Sequence, residues 1–314
     1  MLRNILALFK KKEPSFDETF GNPKVQEFVQ LLKSGDYQGL ERLYRNLDWA
    51  ERSLIMRSIV LEEDYSKAFK KWHEKTETAL STLVWGTHHV FMAWQARSSK
   101  RASEVTDQQF VGFLTLLEQA DTILNRSIAL NPRDPEPYAQ LIRVHMGLSS
   151  ELELLESYFA QAIQLCPDHL SAHMHMVAAY NPKWLGSLEL MYDFAEKAAA
   201  KNSPLLLLPL QYAITEHHLY YDMNEMPEAY EAYYTLPETK AMVQDSFKKY
   251  KEPQSGKALV PLLRSYFAYN LYRIGAHQLA KEVLVKNNYY GTQLPWAYYG
   301  VNSSKELEAL LSII

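Results

Sequence analysis

The chain has 314 residues, of which 47% are hydrophobic and 22% charged, a composition that supports a sizeable packed core and argues against wholesale disorder. Eleven glycines and few alternating apolar runs argue against an all-β fold or a nucleotide-binding α/β fold. The net charge of −4 predicts no nucleic-acid partner, and Cys166, the lone cysteine, indicates a reducing compartment, the cytoplasm.

The N-terminal segment, residues 1–15, is predicted to be a leader ahead of the folded part of the chain. Leu2, Ile5 and Phe9 would share one helical face, and three lysines follow them. The apolar run is too short for a membrane span or a secretory signal. Two interpretations stay open: residues 1–12 contact an anionic membrane surface, or the leader is loose or docks on the body.

Two segments near the ends of the chain are predicted to be helix hairpins. Residues 28–47 have Gly35 at the turn, and residues 266–284 have Gly275 at the turn. One such hairpin cannot bury its apolar face alone, so neighbouring hairpins must stack.

Capping boxes mark two predicted helix starts in the middle of the chain. Thr106 with Gln109 precedes a long helix that ends near residue 130, and Ser150 with Glu153 precedes a shorter one. In each pair the first side chain is expected to accept a hydrogen bond from the backbone of the second residue.

Two central segments match each other at an offset of 35 residues. They are "ALNPRDPEPYAQLIRVH" (129–145) and "QLCPDHLSAHMHMVAAY" (164–180), and the overlay places Leu141 on Met176. A period near 34, with a proline and then a bulky helix opening, is typical of tetratricopeptide repeats. The predicted fold is therefore all-α, a tetratricopeptide-like α-solenoid of stacked antiparallel helix hairpins.

A polar strip near residue 250 is the predicted domain boundary. The stretch "YKEPQSGKA" (250–258) contains Pro253 and Gly256. We therefore predict a helical repeat array over residues 16–250. A C-terminal helical hairpin module over residues 257–314 is expected to pack on that array or continue it.

The stretch "LCPDHLSAHMHM" (165–176) contains three histidines, which raises the question of a metal site. On one helix His169 and His173 share a face, but His175 lies about 200° around from His173, so the three cannot converge on one ion. The repeat overlay gives His173 the packing position of Tyr138. We therefore predict no metal ion, no cofactor and, because no catalytic motif is recognisable, no enzymatic activity.

The first helix of each repeat is expected to line a concave groove that binds a partner. Methionines on that face suit an amphipathic helix or an extended segment, although they would equally fill gaps between helices. The predicted groove residues are Glu136, Arg143, Met146, Met174 and Ala178, with Ala139 and Ser171 beside them.

A second candidate site combines aromatic and basic residues. Trp94 and Arg97 are three residues apart, so they share a helix face that allows a cation–π contact. The turn "NPKWLGS" (181–187) carries a tryptophan that is either a lid over the core or a binding hot spot. The predicted pocket or turn residues are Trp94, Arg97, His173, Lys183 and Trp184.

Residues 90–200 resemble a bacterial family of tetratricopeptide-like proteins that is catalogued as a domain of unknown function. In that family the last of the resembling stretches has two adjacent glycines, and here Leu185 replaces the first. The resemblance implies a helical repeat fold and brings no established activity. The resembling stretches are "FMAWQARSSKRASEV" (91–105), "LNPRDPEPYAQLIRVHMGL" (130–148), "CPDHLSAHMHM" (166–176) and "PKWLGSLELMYDFA" (182–195).

Together these patterns predict a non-catalytic protein–protein interaction module that acts as an adaptor, scaffold or regulator, or as an immunity-type inhibitor of a toxin. The alternative is an enzyme or small-molecule binder with a pocket near Trp94, Arg97, His173 and Trp184. A third hypothesis is a membrane-surface protein held by residues 1–12.

Overall fold

The computed structural model describes residues 15–60, 63–98, 105–287, 290–301 and 307. Within them the chain is all-α apart from one pair of two-residue strands, so the all-α part of the predicted fold is confirmed. The helices are α1 (Pro23–Ser34), α2 (Tyr37–Asn46), α3 (Trp49–Ser58), α4 (Ser66–Thr76), α5 (Ala79–Arg97), α6 (Asp107–Leu130), α7 (Glu136–Gly147), α8 (Leu152–Leu165), α9 (Leu170–Ala179), α10 (Leu188–Ala199), α11 (Leu208–Met223), α12 (Pro227–Ala232), α13 (Pro237–Lys249), α14 (Val260–Arg273), α15 (His277–Lys286) and α16 (Gln293–Trp296). The strands are β1 (Ser15–Phe16) and β2 (Tyr290–Gly291), and 3₁₀ turns occupy Glu63–Tyr65, Pro204–Leu207, Tyr233–Thr235, Lys257–Leu259 and Ala297–Tyr299.

Both predicted hairpins are confirmed, and glycine provides each turn. Gly35 follows α1 with a φ of 72°, and Gly275 follows α14 with a φ of 83°. This left-handed conformation costs glycine little, because glycine has no Cβ to clash with the backbone. The chain therefore reverses within a few residues and the next helix packs on the one before it.

One of the two predicted capping boxes is present. The Thr106 hydroxyl accepts from the Gln109 backbone, and the Gln109 side chain accepts from the Thr106 backbone. The box at Ser150 was predicted wrongly, because α8 starts at Leu152 without a side-chain cap. The Ser150 hydroxyl instead lies 2.9 Å from Nδ1 of His145, which takes it away from the helix start.

The 35-residue overlay pairs residues that are alike in burial at two positions. Helix α6 ends at Leu130 and α8 ends at Leu165, and these two side chains are exposed to a similar extent, 38% and 40%. Leu141 and Met176, which the overlay pairs, are both fully buried. The overlay therefore pairs residues of equal burial at these two positions.

Helices α7, α9 and α11 contact one another in turn, although a further helix separates them along the chain. Helix α8 packs on both α7 and α9. A small core of Ile142, Leu155 and Met176 fills the space between these three helices. This stack positions the predicted groove face of α7 beside that of α9.

The start and the end of the described chain meet. Ser15 pairs with Tyr290 in a parallel bridge between β1 and β2. The Glu18 carboxylate accepts from the Arg57 guanidinium at 2.9 Å and from the Gln293 backbone at 3.0 Å. Helix α3, which carries Arg57, also contacts α9 and the 3₁₀ turn at Lys257–Leu259. Contacts therefore cross the boundary near residue 250, and the division into an array and a C-terminal module stays a prediction.

Two further expectations concern membranes. No helix among the described residues is both long enough and apolar enough to cross a bilayer. The two interpretations of residues 1–12, membrane contact and a loose or docked leader, concern residues outside the described part of the chain.

The turn after α9 depends on a glycine that touches the backbone. A Cβ at Gly186 would overlap the carbonyl group of Tyr180, whereas Leu185 beside it packs on the α7–α9 core. We expect Gly186→Ala to lower the free energy of unfolding by about 1–3 kcal/mol, because backbone cannot move aside as a flexible side chain can.

Urea denaturation measures this loss, and Gly112→Ala is the matched control. A Cβ at Gly112 would meet nothing within 4 Å inside α6. That substitution should raise the free energy of unfolding by about 0.5–1 kcal/mol, because alanine favours helix. Equal effects of the two substitutions would contradict the close approach at Gly186.

Candidate functional site

Two arginines and two tryptophans form a continuous stack, which we call the cation–aromatic ladder. The guanidinium carbon of Arg97 lies 5.1 Å from the centre of the Trp184 ring. The Trp184 and Trp94 rings meet edge to face with their centres 5.1 Å apart. The guanidinium carbon of Arg143 lies 5.5 Å from the centre of the Trp94 ring. Because contacts of this kind are each favourable, the ladder fixes the positions of both arginines.

The ladder assembles because three separate parts of the chain pack together. Trp94 and Arg97 lie one turn apart on α5, Arg143 lies on α7, and Trp184 lies on the turn after α9. The indole of Trp94 fits against α7 at Gly147, where a Cβ would approach it to 3.3 Å.

The predicted contact between Trp94 and Arg97 needs a correction. The guanidinium of Arg97 lies over Trp184, and the ring of Trp94 is covered by Arg143 instead. The reason is that α7 brings Arg143 onto Trp94, while the turn after α9 brings Trp184 within reach of Arg97. The sequence identified three of the four residues as one site, and it assigned Arg143 to the groove.

Arg143 links the ladder to the groove. Its side chain is partly exposed, and no carboxylate oxygen of the described residues lies within 4 Å of its guanidinium. Desolvation by the surrounding protein lowers the pKa of Arg143 to about 10, and Tyr212 acts in the opposite direction. Arg143 therefore stays charged at neutral pH in a place that disfavours an uncompensated charge.

His175 is the neighbour of Arg143 on α9. Its Nδ1–H donates to the carbonyl oxygen of Ala139 at 2.8 Å, which leaves Nε2 as an acceptor. Burial lowers the pKa of His175 to about 3, and the charge of Arg143 is the next cause. The polar neighbours of Arg143 thus include a neutral imidazole, that of His175, and the phenol of Tyr212. Sequence reasoning treated His175 only as a metal ligand and missed Tyr212, because neither lies in a motif.

The predicted groove residues divide into two groups. Arg143, Met174 and Ala178 are partly exposed, so they line an accessible face. Met146 is 5% exposed and fills a gap between helices, which is the alternative interpretation of that methionine. Glu136 is 1% exposed, and its place in the groove needs a correction.

Glu136 is enclosed because α3 crosses the first turns of α7 and α9. The Ser53 hydroxyl of α3 donates to the Glu136 carboxylate. Nε2–H of His169 donates to the same oxygen at 3.1 Å, while Nδ1 of His169 caps α9 by accepting from the Ala172 backbone at 3.3 Å. A buried carboxylate needs such donors, so this junction holds three helix segments together.

A second buried carboxylate lies beside this junction. Asp134 accepts from the backbone of Glu136 at 3.0 Å and from the phenol of Tyr44 at 3.1 Å. Burial raises the pKa of Asp134, and the charge of Glu136 adds to the increase. The face of Tyr44 is in turn covered by the Arg52 guanidinium, 4.8 Å from the ring centre.

The serine, histidine and glutamate at this junction do not form a nucleophile relay. In a relay one imidazole nitrogen faces the serine and the other faces the carboxylate. Here Nε2 of His169 faces both, at 3.4 Å from Ser53 and 3.1 Å from Glu136. All three residues are at most 1% exposed. The arrangement therefore stabilises the helix junction rather than activating the hydroxyl.

The remaining two predicted pocket residues contact other parts of the protein. His173 is fully buried between Phe159 and Phe194, which agrees with the predicted packing role. Lys183 forms an ion pair with the buried carboxylate of Glu216. That pair borders a separate cavity of about 140 Å³ beside α11.

The three clustered histidines point in different directions. His169 faces Glu136, Nδ1–H of His173 donates to the His169 carbonyl at 3.0 Å, and His175 faces Ala139. Among the residues that the structure describes, no group of three histidine, cysteine or acidic side chains is placed to hold a metal ion.

Comparisons with family models, with curated proteins and with solved structures gave no match to this chain.

The junction at Glu136 predicts a large effect of a small change. His169→Asn keeps a side chain that caps α9 but withdraws the donor from Glu136. We expect the free energy of unfolding to fall by about 3 kcal/mol, because a buried carboxylate loses a partner. Urea denaturation measures the change. Lys197→Ala, which breaks an exposed ion pair with Asp193, is the control and should cost less than about 1 kcal/mol. Similar small losses in both variants would show that the junction is not formed.

His175 predicts a pH dependence with a definite sign. Its pKa in the folded protein, about 3, lies below the ordinary 6.5, so below pH 6.5 the unfolded chain binds a proton that the folded chain does not. Its contribution to stability is full above pH 6.5 and is lost as the pH falls toward 3. Between pH 6.5 and about pH 5 this amounts to about 2 kcal/mol.

The measurement is urea denaturation of the wild type and of His175→Gln at about pH 7 and about pH 5. The loss of stability on acidification should be smaller in the variant. His277→Gln replaces an exposed histidine and should behave as the wild type does. An identical pH dependence in all three proteins would contradict a neutral, desolvated His175.

Proposed function

We propose that this protein is a non-catalytic interaction protein that binds a segment of another protein in the groove lined by Arg143, Met174 and Ala178. The observation that carries the proposal is the state of Arg143. The guanidinium is held on Trp94, is desolvated by the surrounding protein, and has no carboxylate within 4 Å among the described residues.

The residue types around Arg143 support a protein partner. Arginine, tryptophan and methionine are enriched at the centres of protein interfaces. Met174 and Ala178 add partly exposed apolar surface on the neighbouring helix. A groove that combines one fixed cation with apolar surface suits a peptide segment better than a uniformly charged ligand.

We further propose that the helices form a tetratricopeptide-like array in a bacterial cytoplasmic protein. The support is the 35-residue sequence match, the equal burial of Leu141 and Met176, which it pairs, and the contacts of α7, α9 and α11. The lone Cys166 suits a reducing compartment. An immunity-type inhibitor would show one tight stoichiometric partner, whereas an adaptor, scaffold or regulator would show several weaker ones.

A small-molecule binder is the second candidate, and the ladder is the observation that favours it. The ring of Trp184 and the ring of Trp94 are held in defined positions beside Arg97. His173, however, was predicted to complete this pocket and lies in the core instead. The ladder therefore provides aromatic surface for stacking, but His173, the titratable group predicted for an enzyme's pocket, does not line it.

The test is capture of partners from an extract of the cells that express the protein, with three baits. They are the wild type, Arg143→Gln and Arg133→Gln. Glutamine preserves much of the length of the side chain, and Arg133 is an exposed arginine in the loop before α7. All three baits are first shown to have equal urea midpoints.

We expect one or a few proteins to be enriched on the wild type and on Arg133→Gln. Their recovery on Arg143→Gln should fall about tenfold or more, the effect of losing an interface hot spot. Equal recovery on all three baits, or enrichment on none, would contradict the proposed binding face.

A further inference from the structure

We infer that the groove recognises one acidic side chain of the partner segment, a glutamate or aspartate whose carboxylate pairs with Arg143 while its apolar neighbours lie on Met174 and Ala178. This inference rests on the proposed function and specifies the chemistry of the partner. It follows from comparing Arg143 with the other cations of this part of the molecule.

Two other cations of this part of the molecule already have anionic partners. Arg57 of α3 is paired with Glu18 at 2.9 Å, and Lys183 is paired with Glu216. The amide of Asn181 also donates to Glu216, at 3.0 Å, which completes that site. Arg143 differs from both, because within the described residues no acidic group comes within 4 Å of it.

The surroundings of Arg143 cannot compensate its charge themselves. Nδ1–H of His175 donates to a carbonyl, so the ring is neutral and offers a single acceptor nitrogen. Tyr212, the other polar neighbour, is a phenol whose pKa is raised well above the ordinary value by burial and by the charge of Glu216. A desolvated cation among neutral groups gains most from a ligand that brings a full negative charge.

The stack on Trp94 favours a planar anion. A guanidinium whose face is covered by an aromatic ring presents its N–H groups at the edge, where a carboxylate accepts two parallel hydrogen bonds. One arginine held in place by a ring suits one acidic residue better than a polyanion, because nucleic acids and anionic lipid surfaces require several cations together. The net charge of −4 also disfavours a polyanion, because the protein as a whole would repel it.

The partner segment is therefore expected to be mixed in character, with one carboxylate between apolar residues. Met174 and Ala178 lie four residues apart on α9, so they form one strip along the helix. A methionine adapts its shape to different apolar side chains. The strip thus provides apolar contact, and Arg143 provides selectivity for the acidic position.

The probe is a library of randomised dodecapeptides displayed on phage and selected on the full-length protein. The selected consensus peptide is then synthesised in three forms: with its acidic residue, with the corresponding amide, and with phosphoserine at that position. Dissociation constants are measured by isothermal titration calorimetry on the wild type, Arg143→Gln, Arg133→Gln and Ala178→Gln. The last variant obstructs the apolar strip with a neutral side chain.

We expect the consensus to contain one acidic residue, and its replacement by the amide to weaken binding to the wild type about tenfold or more. The same replacement should have little effect on Arg143→Gln, because the two groups act as a pair. Arg133→Gln should bind as the wild type does, and Ala178→Gln should bind all three peptides weakly.

The contrary outcomes separate the two proposals. Two outcomes would overturn this inference and leave the groove as a binding face, provided that the peptides bind Ala178→Gln more weakly than the wild type. In the first, the selected peptides contain no acidic residue. In the second, Arg143→Gln and Arg133→Gln reduce the affinity for the peptide equally. A phosphoserine peptide that binds more tightly than the acidic one would also overturn it, in favour of a phosphorylated partner. No selected peptide, or peptides indifferent to Ala178→Gln, would overturn the proposed function as well.

Discussion

The buried carboxylate of Glu136 determines how much of the groove is accessible. It requires donors because the protein excludes water from it, and it obtains them from Ser53 on α3 and from His169 at the start of α9. Helix α3 must therefore lie across the first turns of α7 and α9. Helix α3 thus covers the end of the predicted groove face at which Glu136 lies.

The other end of the same face remains accessible. Arg143 lies seven residues beyond Glu136, about 10 Å along the axis of α7, and keeps part of its surface exposed. Its charge is disfavoured by desolvation, and the stack on Trp94 holds the guanidinium in place despite that cost. A cation fixed in advance loses little conformational freedom when an anion binds. At this end of the face, Trp94 therefore holds the Arg143 guanidinium in position before any anion binds.

The sequence predicted helices α6 to α9 well. Apolar periodicity and the 35-residue match are local patterns, so they require no knowledge of contacts between distant parts of the chain. The sequence also singled out Trp94 and Trp184, but their contact depends on how α5 lies against a turn 90 residues later, which periodicity does not encode. Glu136 was placed on the groove because the face of α7 was assumed to be uncovered, whereas Ser53 of α3 contacts it. His175 and Tyr212 carry no pattern that marks them, and only their proximity to Arg143 identifies them.

The most direct test of this account measures accessibility along α9. Met174→Cys and Met176→Cys are made separately in a Cys166→Ser background, and the rate of thiol labelling by a maleimide is measured for each folded protein. Met174 lies on the accessible strip, whereas Met176 is fully buried in the core between α7 and α8. We expect labelling at position 174 to be at least about tenfold faster than at position 176, where labelling requires local unfolding. Equal, slow labelling at both positions would contradict an accessible groove beside Arg143.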